Sequence, residues 1–261
     1  MENHSNDFKN DFVRPKKALG QHFLVDRNIA RKIVEALSCE HEAVIEVGAG
    51  MGVLTRYLID NQLDKLQVVE IDSESVKFLE NNFPELRGHL VLGDFLKYDI
   101  SQLSDDVAVI GNFPYNISSQ IFFQILKYRN SVRECVGMIQ KEVAERIAAC
   151  PGSKTYGILS VLLQAWYDIE YLFTVNENVF NPPPKVKSAV IRLKRNNVKE
   201  LDCDEKLFVR VVKQAFNQRR KTLRNSLRTL IPVEIIDNEV FNKRPEQLSV
   251  AEFVELVNFI S

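Results

Sequence analysis

The chain has 261 residues, of which 45% are hydrophobic and 26% are charged, and its formal net charge is −1. This composition is that of an ordinary globular protein and excludes a disordered chain. The near-zero net charge excludes a uniformly basic protein, so a nucleic-acid partner would require a local basic patch.

Cysteine spacing and the N-terminus indicate the cellular context. The cysteines lack the close spacing of a zinc or redox motif; they are Cys39, Cys135, Cys150 and Cys203. We therefore expect reduced thiols, no bound metal and a cytoplasmic location. The N-terminus "MENHSNDFKNDF" lacks the apolar core of a signal peptide. No apolar run approaches the roughly 20 residues that span a bilayer, so we expect no membrane partner.

Strands and helices alternate along most of the chain. Apolar runs predict strands at 43–50, 66–72, 89–94, 106–112, 134–140, 168–175 and 188–195. Helical spacing predicts helices at 28–37, 52–61, 73–83, 118–128, 141–149 and 157–167. This alternation is typical of an α/β protein in which helices cover both faces of a mostly parallel sheet.

The pattern changes at about Asn196, where a polar stretch is followed only by helical patterns. We therefore predict a catalytic domain at 1–195, in which 1–15 form a flexible arm. A small all-helical domain is predicted at 196–261.

The first strand runs into a glycine-rich turn, "EVGAGMG", with Gly48, Gly50 and Gly52 at alternate positions. Glycine allows a tight turn and lets a ligand approach main-chain N–H groups. The spacing differs from the dinucleotide-binding G-x-G-x-x-G, and the Lys-Ser/Thr pair of a P-loop is missing. By itself, such a turn is equally compatible with a structural role.

Acidic residues at the next two strand ends favour an adenosine-containing cofactor. Glu70 ends the second strand, where an acid can accept both ribose hydroxyls, and Asp72 is an alternative for this role. Asp94 ends the third strand, where it can accept an adenine amino group or cap the following turn. Because the carboxyl ends of parallel strands share one edge of a sheet, these groups predict a site for S-adenosylmethionine.

The fourth strand ends in "GNFPY", which contains neither an acid nor a base. Methyl transfer to a nucleobase amine needs orientation and hydrogen-bond acceptors, because the amine lone pair is delocalised into the ring. The Asn112 side-chain oxygen can be one acceptor and the Phe113 carbonyl another, since Pro114 keeps the preceding chain extended. Tyr115 supplies a ring for stacking on the base. A plain strand-to-turn ending is the alternative.

Seven motifs occur in order: "KKALGQHFL", "EVGAGMGVLT", "VVEID", "GDFL", "GNFPYNISS", "FNPPPKV" and "AFNQRRKTLRNSL". From about Lys16 to the C-terminus, the chain resembles the rRNA adenine N6,N6-dimethyltransferases, and within them the bacterial small-subunit type. The resemblance implies a Rossmann-like class I methyltransferase fold and S-adenosyl-L-methionine as cofactor. It also implies an enzyme that converts two adjacent adenosines near the 3′ end of 16S rRNA to N6,N6-dimethyladenosine during small-subunit biogenesis.

The resemblance implies roles for individual residues as well. Contacts to the cofactor are implied for His22, Leu24, Gly48, Gly50, Glu70, Asp94 and Asn112. Phe180 is implied to stack on a flipped adenine opposite Tyr115, beside Asn112, Phe113 and Pro114. From the residues alone, His22 is equally a partly buried histidine and Phe180 a core residue.

A basic segment without acidic residues extends from Leu207 to Leu230. On one continuous helix, Arg220, Arg224 and Arg228 would recur every four residues beside a stripe of leucines. An RNA-binding ridge is predicted at Arg219, Arg220, Lys221, Arg224 and Arg228, with a solvated charged face as the alternative.

The expected partner is 16S rRNA in a pre-small-subunit particle, bound by a monomer. Three alternatives remain open: a large-subunit rRNA adenine methylase, an RNA-binding assembly factor with incidental methylation, and a small-molecule or protein N-methyltransferase. The segment "NQRRKTLRNSL" disfavours the first of them.

Overall fold

The computed structural model describes residues 12–38 and 40–261, so most of the predicted arm at 1–15, and Cys39, lie outside the described residues. The chain divides into two compact units, one comprising Met1–Lys141 and Leu172–Arg192, the other Glu142–Tyr171 and Leu193–Ser261. The division near residue 193 lies close to the predicted boundary at 195. The segment 142–171, which the sequence assigned to the catalytic domain, instead belongs to the second unit.

The strands are β1 (Phe23–Leu24), β2 (Ala43–Val47), β3 (Leu66–Glu70), β4 (Leu90–Leu92), β5 (Val107–Asn112), β6 (Val132–Gln140), β7 (Tyr167–Val175), β8 (Phe180–Asn181) and β9 (Ser188–Arg195). The helices are α1 (Arg27–Glu35), α2 (Thr55–Gln62), α3 (Ser73–Asn82), α4 (Ser118–Lys127), α5 (Lys141–Ile147), α6 (Ile158–Gln164), α7 (Glu205–Asn217), α8 (Leu223–Ser226) and α9 (Val250–Ile260). None of these helices has the length and apolar character needed to cross a membrane, within the part of the chain that is described.

A sheet of seven strands, in the order β4-β3-β2-β5-β6-β9-β7, carries the fold. The pairs β4–β3, β3–β2, β2–β5 and β5–β6 are parallel. All five residues of β2 are buried, as expected of a central strand covered on both faces. The strand order turns back between β2 and β5, and in such folds ligands bind outside the carboxyl ends of the strands at that point. The predicted α/β Rossmann-like fold is confirmed.

Local sequence explains how the first helix is placed. The Asp26 side chain caps α1 by accepting hydrogen bonds from the N–H groups of Asn28 and Ile29. Ala30, Ile33 and Val34 then follow at helical spacing, and all three are buried. The apolar face of α1 therefore joins the core that also contains residues of β2 and β3.

Two short strands were not predicted. Strands β1 and β8 pair antiparallel, with Phe23 opposite Asn181 and Leu24 opposite Phe180. Each strand has two residues, which is too short to show an alternating pattern. This ribbon ties the segment around residue 23 to the segment that precedes "PPPKV".

The second unit contains helices where the sequence predicted them, but the basic segment is not one helix. Helix α7 ends at Asn217, and α8 comprises only Leu223–Ser226, so Arg220 and Arg228 lie outside helices. The chain turns over residues 218–222 between α7 and α8. The Leu223 N–H, at the start of α8, donates to the carbonyl of Lys243, a partner that local helical periodicity does not indicate.

Candidate active site

An open cavity of about 670 Å³ lies at the carboxyl ends of the central strands of the first unit. Nine of the predicted site residues line it: His22, Gly48, Gly50, Glu70, Asp94, Asn112, Phe113, Pro114 and Tyr115. Part of its wall comes from residues 16–24, which we call the arm segment; Leu19 to Phe23 line the cavity.

The glycine-rich turn forms the floor of the cavity. Gly48 and Gly50 have φ values of 72° and 57°, a left-handed conformation that favours glycine. A Cβ atom on Gly50 would come within 2.8 Å of the Phe23 ring, so the arm segment packs directly on this turn. The turn thus needs glycine both for its backbone and for this close approach.

Glu70 is nearly fully buried and supports the turn. Its carboxylate accepts hydrogen bonds from the N–H of Gly50 and from the N–H of Asp72, each over 2.9 Å. Burial raises the pKa of Glu70 above its usual value. Each oxygen keeps a second lone pair, so the carboxylate can still accept hydroxyl donors in the cavity. Asp72, the alternative for this role, is not among the lining residues and instead bonds the arm segment.

Asp94 is placed for both roles that the sequence left open, capping the following turn and accepting an amino group. Its carboxylate accepts the Leu96 N–H over 2.9 Å, which caps the turn after β4. The same side chain lines the cavity, where it can accept an amino group.

The end of β5 places an amide at the cavity. The Asn112 side-chain N–H donates over 2.9 Å to the main-chain carbonyl of His22, which leaves the amide oxygen for another donor. Phe113 is fully buried, and Cβ atoms on Gly111 or Gly137 would collide with its ring. The ring therefore anchors the turn, and Phe113 is among the residues that line the cavity.

Two aromatic rings stack on each other at the cavity. The rings of Tyr115 and His22 stack with centroids 5.4 Å apart and an interplanar angle of 29°. The Tyr115 hydroxyl bonds the hydroxyl of Ser188, and burial raises the pKa of Tyr115. His22 Nδ1 lies 2.8 Å from the carbonyl oxygen of Pro182, to which it donates. Tyr115 is therefore held in place from both sides.

Two predicted site residues lie elsewhere. Leu24 and Phe180 are opposite each other in the β1–β8 ribbon, and both side chains are buried in the core. Neither is among the residues that line the cavity. Stacking of Phe180 on an adenine would need its ring to leave this position, so its role stays a prediction, as does a cofactor contact by Leu24.

Sequence reasoning missed two polar residues near the site. Ser188 is fully buried at the start of β9 and orients Tyr115. Glu46, a buried acid in the apolar strand "AVIEV", has its pKa raised to about 8 by burial, with a further contribution from Glu70. A charge within an apolar strand is the signal that could have identified Glu46, whereas the position of Ser188 depends on folding alone.

The predicted RNA-binding residues fall into two groups within the second unit. Arg219 and Arg224 pair with carboxylates: Arg219 Nε lies 3.9 Å from Glu246, and Arg224 Nη1 lies 2.9 Å from Asp237. The side chains that are exposed to solvent are Arg220, Lys221 and Arg228.

The cavity fits the cofactor that the sequence predicts. Gly48 and Gly50 line the cavity without side chains, so a ligand can approach the main chain there, and Glu70 and Asp94 offer acceptors to hydroxyl and amino groups. Apolar residues, among them Leu19, Val69 and Ile71, also line the cavity. Among residues 12–38 and 40–261, no three His, Cys, Asp or Glu side chains are grouped as metal ligands.

Comparisons with known proteins agree with this geometry. The sequence profile of the ribosomal RNA adenine dimethylase family matches residues 13–261. The ribosomal RNA small subunit methyltransferase A of Parabacteroides distasonis is 61% identical over 94% of this chain and 93% of that protein. The protein of the same name from Bacteroides thetaiotaomicron is 58% identical over 94% of each chain.

Solved structures share the fold. A dimethyladenosine transferase from Plasmodium falciparum superposes with a TM-score of 0.76 and 24% identity, covering 90% of this chain and 96% of that one. The 23S rRNA methyltransferase ErmE superposes with a TM-score of 0.65 and 25% identity, covering 90% and 99%. With the family profile matching nearly its whole length, the chain belongs to the ribosomal RNA adenine dimethylase family, whose members use S-adenosylmethionine.

Proposed function

We propose that the protein dimethylates the N6 amines of two adjacent adenosines near the 3′ end of 16S rRNA. The observation that carries the proposal is the Asn112 amide, which the His22 carbonyl holds beside the Tyr115 ring at the cavity. The names and identities of the small-subunit relatives support 16S rRNA as the substrate, since the 23S rRNA methyltransferase is far less similar.

The cavity's own residues account for the chemistry. When bound, S-adenosylmethionine supplies an electrophilic methyl group. The Asn112 side-chain oxygen and the Phe113 carbonyl accept the two N–H groups of the target amine, so that its lone pair is directed out of the ring plane. Tyr115 stacks on the extruded base, and Ser188 keeps that ring in place. No strong base is required, because the amine attacks as the neutral nucleophile. The methylated nitrogen is then cationic and acidic, and it loses one N–H proton to solvent.

Binding of the RNA is assigned to the second unit. Arg220, Lys221 and Arg228 are exposed and would contact phosphates, while Arg219 and Arg224 contribute once their carboxylate pairs open. The substrate particle is a precursor of the small subunit, and the protein acts on it as a monomer in the cytoplasm. An RNA of this kind is recognised through shape and phosphates, with the target base unstacked.

The test uses purified protein, labelled S-adenosylmethionine and ribosomal subunits from a strain that lacks the modification. Mass spectrometry of digested rRNA should find N6,N6-dimethyladenosine at two adjacent positions of 16S rRNA. Label in 23S rRNA, or no transfer to RNA at all, would contradict the proposal. Asn112→Ala serves as the inactive control, and if it fully restores subunit maturation in cells, RNA binding rather than methylation is the main biological role.

A further inference from the structure

The arm segment closes one side of the cofactor cavity. Five consecutive residues of it, from Leu19 to Phe23, line the cavity. Gly20 has a φ of 64° and packs so closely on Asn116 that a Cβ atom there would lie 2.5 Å from the Asn116 amide oxygen. The cavity wall thus depends on how this segment is fixed to the rest of the unit.

A buried carboxylate fixes the arm segment. Lys16 Nζ lies 2.5 Å from one oxygen of Asp72, and Gln21 Nε2 donates to the other oxygen over 3.2 Å. The Gln21 side-chain oxygen in turn accepts the Lys16 main-chain N–H over 2.7 Å. Glu74 adds a second carboxylate 3.1 Å from Lys16 Nζ. We call these four residues the Asp72 cluster.

Within this cluster, Asp72 is a buried and negatively charged carboxylate. Only 1% of the Asp72 side chain is exposed, against 37% for Lys16. Burial alone raises the pKa of Asp72, but the hydrogen bonds from Lys16 and Gln21 outweigh it, and the pKa lies below its usual value. Asp72 is therefore ionised at neutral pH and needs its cationic partner.

Asp72 also connects the arm segment to the acid in the cavity. Its main-chain N–H donates to the Glu70 carboxylate, and the other oxygen of Glu70 accepts the Gly50 N–H. One residue thus bonds the arm segment through its side chain and the predicted ribose acceptor through its backbone.

We infer that Asp72 is a positioning residue: the Asp72 cluster keeps the arm segment across the cavity and sets the rate at which the cofactor leaves. Asp72 itself does not line the cavity, so it acts through the arm segment and Glu70. The inference rests on the proposed use of this cavity for S-adenosylmethionine, but not on the identity of the RNA.

The test compares two lysine substitutions in the full-length protein. Lys16→Met removes the cation and keeps a long apolar side chain, whereas Lys17→Met makes the same change at the exposed neighbour. Release of radiolabelled S-adenosylmethionine is followed after dilution into unlabelled cofactor. Lys16→Met should release it about tenfold faster, the usual effect of losing one charged hydrogen bond. Lys17→Met should match the wild type.

Salt dependence separates positioning from a general structural defect. Release from the wild type should accelerate as salt screens the half-exposed lysine, and release from Lys16→Met should not respond. Asp72→Asn gives a second measure, since asparagine keeps the cap that Asp72 provides for α3. It should raise the KM for the cofactor without lowering kcat.

Each outcome has a distinct meaning. If the wild type binds no cofactor, the proposed function itself fails. If it binds and the release rates of wild type, Lys16→Met and Asp72→Asn are equal, the positioning role of Asp72 is wrong while the proposed function stands.

Discussion

The Asn112 side chain donates a hydrogen bond to the carbonyl of His22, a residue ninety positions earlier in the chain. This bond uses the nitrogen of the amide and therefore presents its oxygen to the cavity. It joins the turn after β5 to the arm segment, so the acceptor for the target amine and the wall of the cofactor cavity depend on each other.

Replacement of Asn112 should abolish turnover without unfolding the protein. Asn112→Ala removes the acceptor for the amine, and we expect single-turnover methylation to fall by about 100-fold or more, as for other preorganised polar groups. Thermal unfolding should be little changed, because Asn112 is only half-buried.

The matched control is Asn116→Ala, in the same turn. Asn116 is exposed and does not line the cavity, although Gly20 of the arm segment packs on it, so its loss should reduce activity much less than the loss of Asn112. Equal losses in both variants would show that the turn as a whole, rather than the Asn112 amide, sets the rate.

Loss of the Tyr115 ring should weaken the hold on the extruded base. Tyr115→Ala removes stacking worth about 1–3 kcal/mol, so we expect the KM for RNA to rise by roughly 5-fold to 150-fold. A 2-aminopurine at the target position reports stacking through its fluorescence. Ser188→Ala keeps the ring but removes its hydroxyl partner, and should produce a smaller change in the same direction. If the fluorescence with Tyr115→Ala equals that with the wild type, the base does not stack on Tyr115.

The sequence was sufficient to predict the site residues that lie at the ends of strands. Glu70 and Asn112 are the last residues of their strands, and Gly48 and Asp94 lie one and two residues after theirs. Parallel strands bring their carboxyl ends to one edge, so these four residues meet there. Strand β9 was predicted with the same bounds as in the structure, because Ala189, Val190, Ile191 and Leu193 form a short apolar stretch and all four are buried.

Features that depend on distant contacts could not be predicted in this way. The ring beside Tyr115 is that of His22, which reaches it only because the arm segment bonds Asp72 and pairs with β8. The basic segment is periodic over four residues, yet its helix ends at Asn217, and the next helix begins at Leu223, which bonds the distant Lys243. Local spacing carries no information about either partner.

Exposed cations of the second unit should contribute to RNA affinity through phosphates. Lys221→Ala should weaken binding to small-subunit RNA and lower the slope of log affinity against log salt by about one. Filter binding over a series of salt concentrations measures both. Lys199→Ala removes the same charge from another exposed position of this unit, outside the basic segment, and should leave the slope unchanged. A common effect of both variants would point to net charge rather than a local ridge.

A histidine between two carboxylates should make stability depend on pH. His41 Nδ1 lies 2.6 Å from Asp106 and Nε2 lies 2.8 Å from Glu134, both distances being to carboxylate oxygens. The bond to Glu134 raises the pKa of His41 above 6.5, although burial opposes it. Burial alone would raise the pKa of Glu134, but the hydrogen bonds from His41 and Ser38 together outweigh it, and the pKa lies below 4.5.

The signs of these shifts define a window of maximal stability. The contribution of His41 is complete below its unfolded pKa of about 6.5 and is lost as pH rises through the higher folded value. The contribution of Glu134 is complete above about pH 4.5 and is lost as pH falls through the lower folded value. Stability from this cluster should therefore be greatest between about pH 5 and 6.5.

His41→Ala should cost about 3 kcal/mol in the free energy of unfolding at about pH 6, because it leaves the buried Glu134 carboxylate without its cation. Urea unfolding at about pH 6 and about pH 9 measures the difference, which should shrink at the higher pH as wild-type His41 loses its proton. His89→Ala, which removes a ring bonded to the Leu66 carbonyl, should cost less. An equal cost of His41→Ala at both pH values would show that the ring acts through packing, since a charged pair must respond to the proton it holds.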